Sequence, residues 1–185
     1  VIEGLKALPE GGSVDFLIHG TTVGINSVLQ RRGAKVALLT TENFRDVYTI
    51  AGNDRRDIFA IHYRKPAPLI GREHIFTVQE RLRADGSVEH APRLVDLDRL
   101  VAAVASEGYE AIAVRLLFSY VNPAHELAVE AYLRDRLPEV SITLSHRISP
   151  EWREYARTST TVMDAYVAPV VRRYLSTQIA ELDRG

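Results

Sequence analysis

The chain has 185 residues, 46% of them hydrophobic and 25% charged, with 23 basic against 24 acidic side chains and a net charge of −1. That balance excludes the strong positive field of a general nucleic-acid binder. The absence of cysteine excludes disulfides, thiolate metal sites and cysteine nucleophiles.

A chain of this length can remove roughly 70% of its unfolded surface from water, so a sizeable core needs no covalent staples. No apolar run approaches the roughly 20 residues that span a bilayer, nothing in the opening residues reads as a signal peptide, and a cytoplasmic location is the expectation. Val1 is not a translation start. The opening Val-Ile-Glu-Gly-Leu-Lys-Ala-Leu reads as the end of an amphipathic helix, which points to a trimmed chain or a segment of a longer protein, the alternative being a methionine removed by processing.

In chain order, Val14 to His19 is short, apolar and β-prone, and Gly20, Thr21 and Thr22 turn it into a helix ending near Arg32. Gly33 is expected in the left-handed cap position. Lys35 to Thr40 is a continuous apolar strand of the kind buried on both faces, and a short helix fits Asn43 to Ala51. Residues 52–92 are irregular, charged and proline-containing. Within them His74–Leu82 and Ser87–His90 flank Ala84-Asp85-Gly86, a hairpin turn signal. Residues 52–92 therefore read as an inserted segment between two α/β parts, 1–51 and 93–185.

Asp96 is an expected N-cap for a helix with Leu97, Leu100, Val101 and Val104 on one face. Ala111 to Phe118 is the next buried strand, Pro123 can open a helix, and Ser141 to Ser145 is a further strand. From Pro150 the pattern is helical almost to the end, with Pro169 expected to kink or restart it. The alternation predicts an α/β fold with a mainly parallel sheet and flanking helices.

Two segments break ordinary rules. His19-Gly20-Thr21-Thr22 joins a strand end to a helix start, where free N–H groups suit an anion, and Asn26 shares a face with Thr22. It also fits a Thr-capped helix with a buried, hydrogen-bonded histidine. Arg157-Thr158-Ser159-Thr160-Thr161 places four consecutive hydroxyl residues inside a helix, where they compete for backbone groups. Close packing of small residues against a sheet is the alternative. If both segments serve one cleft, they should lie near each other. Glu80, Arg81 and Arg83 read as solvated hairpin residues, and His125 and Glu126 as helix caps. The six histidines show no metal-ligand spacing, and Walker A, GxGxxG and GxSxG motifs are absent.

The wording of these segments carries more. HGTTVGINSVLQRRGAKVALLTTENFRDV (His19 to Val47) closely resembles the hydantoinase A/oxoprolinase family, with its HGTT-x-x-x-N-x-x-L-x-x-x-GA pattern and a following step seen here as Asn43-Phe44-Arg45-Asp46. RLLFSYVNPAHE (Arg115 to Glu126) and SPEWREYARTSTTVMDAYVAPVVRRYL (Ser149 to Leu175) resemble its second and third signatures. Ala156 stands where the family has an acidic residue, Asp164 where it has asparagine, and Gly24-Ile25 replace an Ala-Thr pair.

The resemblance implies part of an actin-like ATPase (ribonuclease H-like) architecture, without the glycine- and threonine-rich hairpin that opens the family's N-terminal region. It implies ATP and Mg²⁺ as cofactors of the full-length protein, and opening of a cyclic amide such as 5-oxoproline or a hydantoin after phosphorylation of its oxygen. Related proteins carboxylate acetone or acetophenone. A B-type subunit or domain is the implied partner, in an oligomer, with no role for nucleic acid or membrane.

Carried over by position, His19, Gly20, Thr21, Thr22 and Asn26 would face the nucleotide or substrate cleft, together with Arg157, Thr158, Thr160 and Thr161. Two hypotheses result: a piece of an ATP-dependent amidohydrolase that is inactive alone, or a self-standing α/β interaction module without catalysis.

Overall fold

The computed structural model describes residue 16, residues 18–52, residue 59 and residues 61–182. Its centre is a four-stranded sheet with every neighbouring pair parallel. The strands are β1 (Val36–Thr41), β2 (Ile75–Val78), β5 (Ala111–Arg115) and β6 (Ser141–Leu144), in spatial order β2-β1-β5-β6. Two short strands, β3 (Arg81–Leu82) and β4 (Val88–His90), form a separate antiparallel pair. The helices are α1 (Val23–Leu29), α2 (Val47–Ile50), α3 (Asp98–Glu107), α4 (Ala124–Arg136), α5 (Ser145–Ile148) and α6 (Glu154–Leu182).

Both faces of the sheet are covered, so β1 and β5 read as unbroken apolar runs. Alternate residues then serve different layers. Ala37, Leu39, Ile112 and Val114 pack with Leu100 and Val104 of α3 and Val129 and Leu133 of α4. Val36, Leu38, Ala111 and Ala113 pack on the other side with Val162, Ala165 and Tyr166 of α6. The two β5 alanines leave room for the long helix to lie close to the sheet. Gly33 is part of the same closeness: a Cβ there would stand 2.0 Å from the Tyr166 ring.

The structure corrects several expectations. His74–Leu82 is not one hairpin arm, because Ile75–Val78 pairs with β1 in the main sheet and only Arg81–Leu82 turns back on β4. Burial of Ile75 and Val78 favours the sheet over the hairpin. The hairpin turn itself is present, with Gly86 at φ 83 as a left-handed turn residue. The left-handed position after α1 falls to Arg31 (φ 52) rather than Gly33, which is there for Tyr166. Asp96 sits in a 3₁₀ turn (Leu94–Leu97), where its carboxylate accepts the Gln79 N–H instead of capping α3.

Pro169 does not restart the helix, since α6 runs through it as one element. The Tyr166 carbonyl, in the turn the proline disturbs, accepts the Ala34 N–H at 2.9 Å. Of the expected strand at Val14–His19, residues 14, 15 and 17 lie outside the described residues. Phe16, Ile18 and His19 carry no strand pairing and are exposed.

Candidate functional site

From β1 the chain goes to one side to form β2 and comes back on the other side of β1 as β5. Connections therefore diverge between the carboxyl ends of β1 and β5, the place where open α/β sheets bind ligands. Here Thr40 pairs in register with Arg115. Arg115 is fully buried and donates from Nε to Thr158 Oγ1 (2.7 Å) and from Nη1 to Thr40 Oγ1 (3.3 Å). Its Nη2 stands 2.9 Å from Glu154 Oε2 as an ion pair without hydrogen-bond alignment. Burial pulls the Arg115 guanidinium down to about 10, against the opposing pull of Glu154.

Arg157, one helical turn beyond Glu154, is the second fully buried guanidinium. It donates from Nη1 to Ser119 Oγ and to Ser145 Oγ (2.9 Å), and from Nη2 to the Leu116 carbonyl (2.9 Å) and both Glu154 oxygens. Glu154 thus closes the strand ends from above, shared by two arginines, with its side chain 26% exposed.

Two further carboxylates extend this buried polar layer. Glu126 Oε1 accepts the Leu116 N–H at 3.0 Å and the Ser145 hydroxyl at 2.5 Å, while Oε2 meets the backbone and side-chain nitrogens of His146 at 3.1 and 2.7 Å. Burial alone would push Glu126 up. The hydrogen bonds from His146, Ser145 and Leu116 outweigh it and hold the carboxyl below its ordinary value. Glu80 is buried, accepts the Thr41 hydroxyl and stands 2.6 Å from His125 Nδ1.

These contacts correct two readings. Glu80 is no solvated hairpin residue, unlike exposed Arg83, and His125 and Glu126 do not cap α4, whose N-cap is Pro123. They tie that helix to the strand ends. The Pro-Ala-His-Glu wording after Pro123 was the available signal, but burial of its last two residues depends on where β5 and β6 end.

The candidate residues fall in two places. Thr158 and Thr161 are buried against the sheet and donate to the Glu154 and Arg157 carbonyls at 2.6 and 2.7 Å. Thr160 is exposed and donates to the Ala156 carbonyl. His19, Gly20, Thr21, Thr22 and Asn26 are all exposed. Thr21 Oγ1 accepts the Val23 N–H, Asn26 donates to Thr22 Oγ1, and His19 Nε2 meets the Tyr174 hydroxyl at 2.6 Å. Tyr174 lies roughly 20 Å beyond Thr161 along α6. The two segments thus share one helix but not one cluster: α1 links them, with Gly24 against Val167 and Val171 and Ile25 and Val28 beside Thr160 and Met163.

Residues 1–137 match the model of the hydantoinase/oxoprolinase N-terminal region. The chain belongs to the hydantoinase/oxoprolinase family. It is 36% identical, over 83% of its length and 23% of the relative's, to the acetophenone carboxylase gamma subunit of Aromatoleum aromaticum. It is 30% identical to 5-oxoprolinase 1 of Arabidopsis thaliana, over 92% of its own length and 15% of the relative's. Among solved structures, the ATP-dependent caprolactamase of Pseudomonas jessenii superposes with a TM-score of 0.80 at 31% identity, covering 87% of this chain and 24% of that one. The chain thus spans a quarter or less of the length of these relatives.

The described residues of this family member do not by themselves fit ATP and Mg²⁺. Among them no group of three or more His, Asp or Glu side chains is placed to hold a metal ion. The hydroxyls of Thr21 and Thr22 are engaged locally, and the two arginines at the strand ends are already paired with one shared carboxylate, Glu154. No step through the nucleotide can be built from these side chains.

Proposed function

We propose that this chain is part of an ATP-dependent cyclic-amide hydrolase of the hydantoinase/5-oxoprolinase type, which activates a lactam or hydantoin by phosphorylation for ring opening. The observation that carries the reading is the superposition of most of the chain on an ATP-dependent caprolactamase. ATP and Mg²⁺ are then held mainly by other parts of an actin-like ATPase architecture, since phosphoryl transfer needs phosphate loops and a bound cation around the transferring group. The segment contributes the parallel sheet with its charged strand ends, and a B-type subunit completes the enzyme. The protein is cytoplasmic in this reading; among the described residues no helix is long and apolar enough to cross a membrane. A second reading, a subunit of an acetone- or acetophenone-type carboxylase, is favoured by the 36% identity to the acetophenone carboxylase subunit.

The test is release of ADP with Mg²⁺ and 5-oxoproline, hydantoin, acetone or acetophenone, run on the 185-residue chain and on a version extended at both ends with its B-type partner. Ring-dependent turnover by the extended protein alone is the expected result. Ketone-dependent turnover requiring bicarbonate selects the carboxylase. Turnover by the short chain that disappears in Thr22→Val overturns the reading of an incomplete enzyme.

A further inference from the structure

A cavity of about 740 Å³ lies between the outer face of α6 and the chain that follows α2, within the size range of small-ligand sites. Its wall is largely apolar and aromatic, with Tyr48, Leu69, Tyr155 and Met163 among the lining residues, and no carboxylate faces it among the described residues. Lys65, the one charged lining side chain among the described residues, donates from its ammonium to the Ile50 carbonyl.

Three hydroxyls in this wall, those of Ser159, Tyr48 and Tyr155, keep a proton to donate. Thr158, Thr160 and Thr161 each donate back to the carbonyl four residues earlier, but Ser159 between them does not, and its hydroxyl has no partner among the described residues. Tyr48 accepts the Leu69 N–H at 3.3 Å, which leaves its own O–H to donate. Tyr155, one turn before Ser159, has no hydrogen bond among the described residues. At the rim Ala51 adopts φ 57 and ψ −159, a conformation otherwise reserved for glycine and kept where surroundings enforce it.

We propose that this cavity binds the cyclic amide ring, with the ring methylenes against Met163 and Leu69 and the amide group among the hydroxyls of Ser159, Tyr48 and Tyr155. Among the described lining residues, apolar side chains and a few hydroxyls suit a small ring whose amide N–H groups donate and whose carbonyls accept. The choice of ring as ligand rests on the proposed function; the cavity and its free hydroxyls do not.

Met163 is the sole methionine, so a ¹³C-methyl-methionine label gives a single resonance in this wall. Hydantoin and 5-oxoproline are titrated separately into the labelled chain. A saturable shift with either ring supports the site. Because Met163 and Ser159 also line the apolar groove beside α1, Ile25→Ser, which perturbs only that groove, and Ala67→Leu, which fills only the cavity, tell the two apart. The shift survives the first and disappears in the second.

Ser159→Ala, which removes only the hydroxyl, weakens binding about three- to tenfold, the loss of one hydrogen bond. The proposal is overturned by no shift with either ring, by a shift lost only in Ile25→Ser, or by unchanged affinity in Ser159→Ala. In the extended protein the two readings separate. Ring-dependent ATP turnover whose KM ignores Ser159→Ala and Ala67→Leu removes this site and leaves the function. Ring binding here without any ring-dependent turnover does the reverse.

Discussion

Arg157 brings a guanidinium to zero exposure and spends it on Ser119, Ser145, Leu116 and Glu154, so its removal strands several acceptors at once. Arg157→Met is expected to cost about 3–5 kcal/mol in urea unfolding, the range for breaking a buried ion pair from one side. Arg157→Lys should recover little of it, since a point charge cannot serve a fork of separate acceptors. Glu126 makes a pH-dependent counterpart. Its folded pKa lies below the ordinary 4.5, so its contribution is present above pH 4.5 and is lost as pH falls through the folded value. Thermal unfolding between pH 5 and 3 should therefore lose less stability in Glu126→Gln than in the unsubstituted chain. The hydroxyl run at residues 158–161 was legible as an anomaly from sequence. Which members turn inward was not, because that depends on where Ala111 and Ala113 let the helix touch the sheet.

At the scale of elements, β1, β5 and β6 were legible because a strand covered on both faces is apolar throughout, and each was found within a few residues of its expected span. Ile75–Val78 was misjudged for a physical reason: four residues joined to a turn signal look the same whether they pair with the hairpin or with β1. Glu80 and His125 were missed because a charged side chain in sequence carries no mark of a buried partner of opposite chemistry. In α6, the buried positions run from Arg157 to Pro169 and stop there. Amide hydrogen exchange should follow that division. Amides of residues 157–168 are expected to exchange only with global unfolding, and those of 175–182 at least tenfold faster by local opening. Uniform protection along α6 would contradict the division.

For the whole molecule, alternation of helices and strands predicted the α/β class, while only the wording of three segments pointed to the family. The strand order β2-β1-β5-β6 lay beyond both, since nothing local says on which side of β1 the chain returns. Yet that order decides where the charged layer sits. One end of α6 is bolted into that layer through Glu154 and Arg157, while its last two turns touch little. At 29 residues the helix is roughly 43 Å long, and its first half is held along its length, from Glu154 and Arg157 at the strand ends to Tyr166 against Gly33. The helix is in effect a mast stepped in the core as far as Pro169, so movement at Leu182 reports the free upper turns and leaves the two arginines undisturbed.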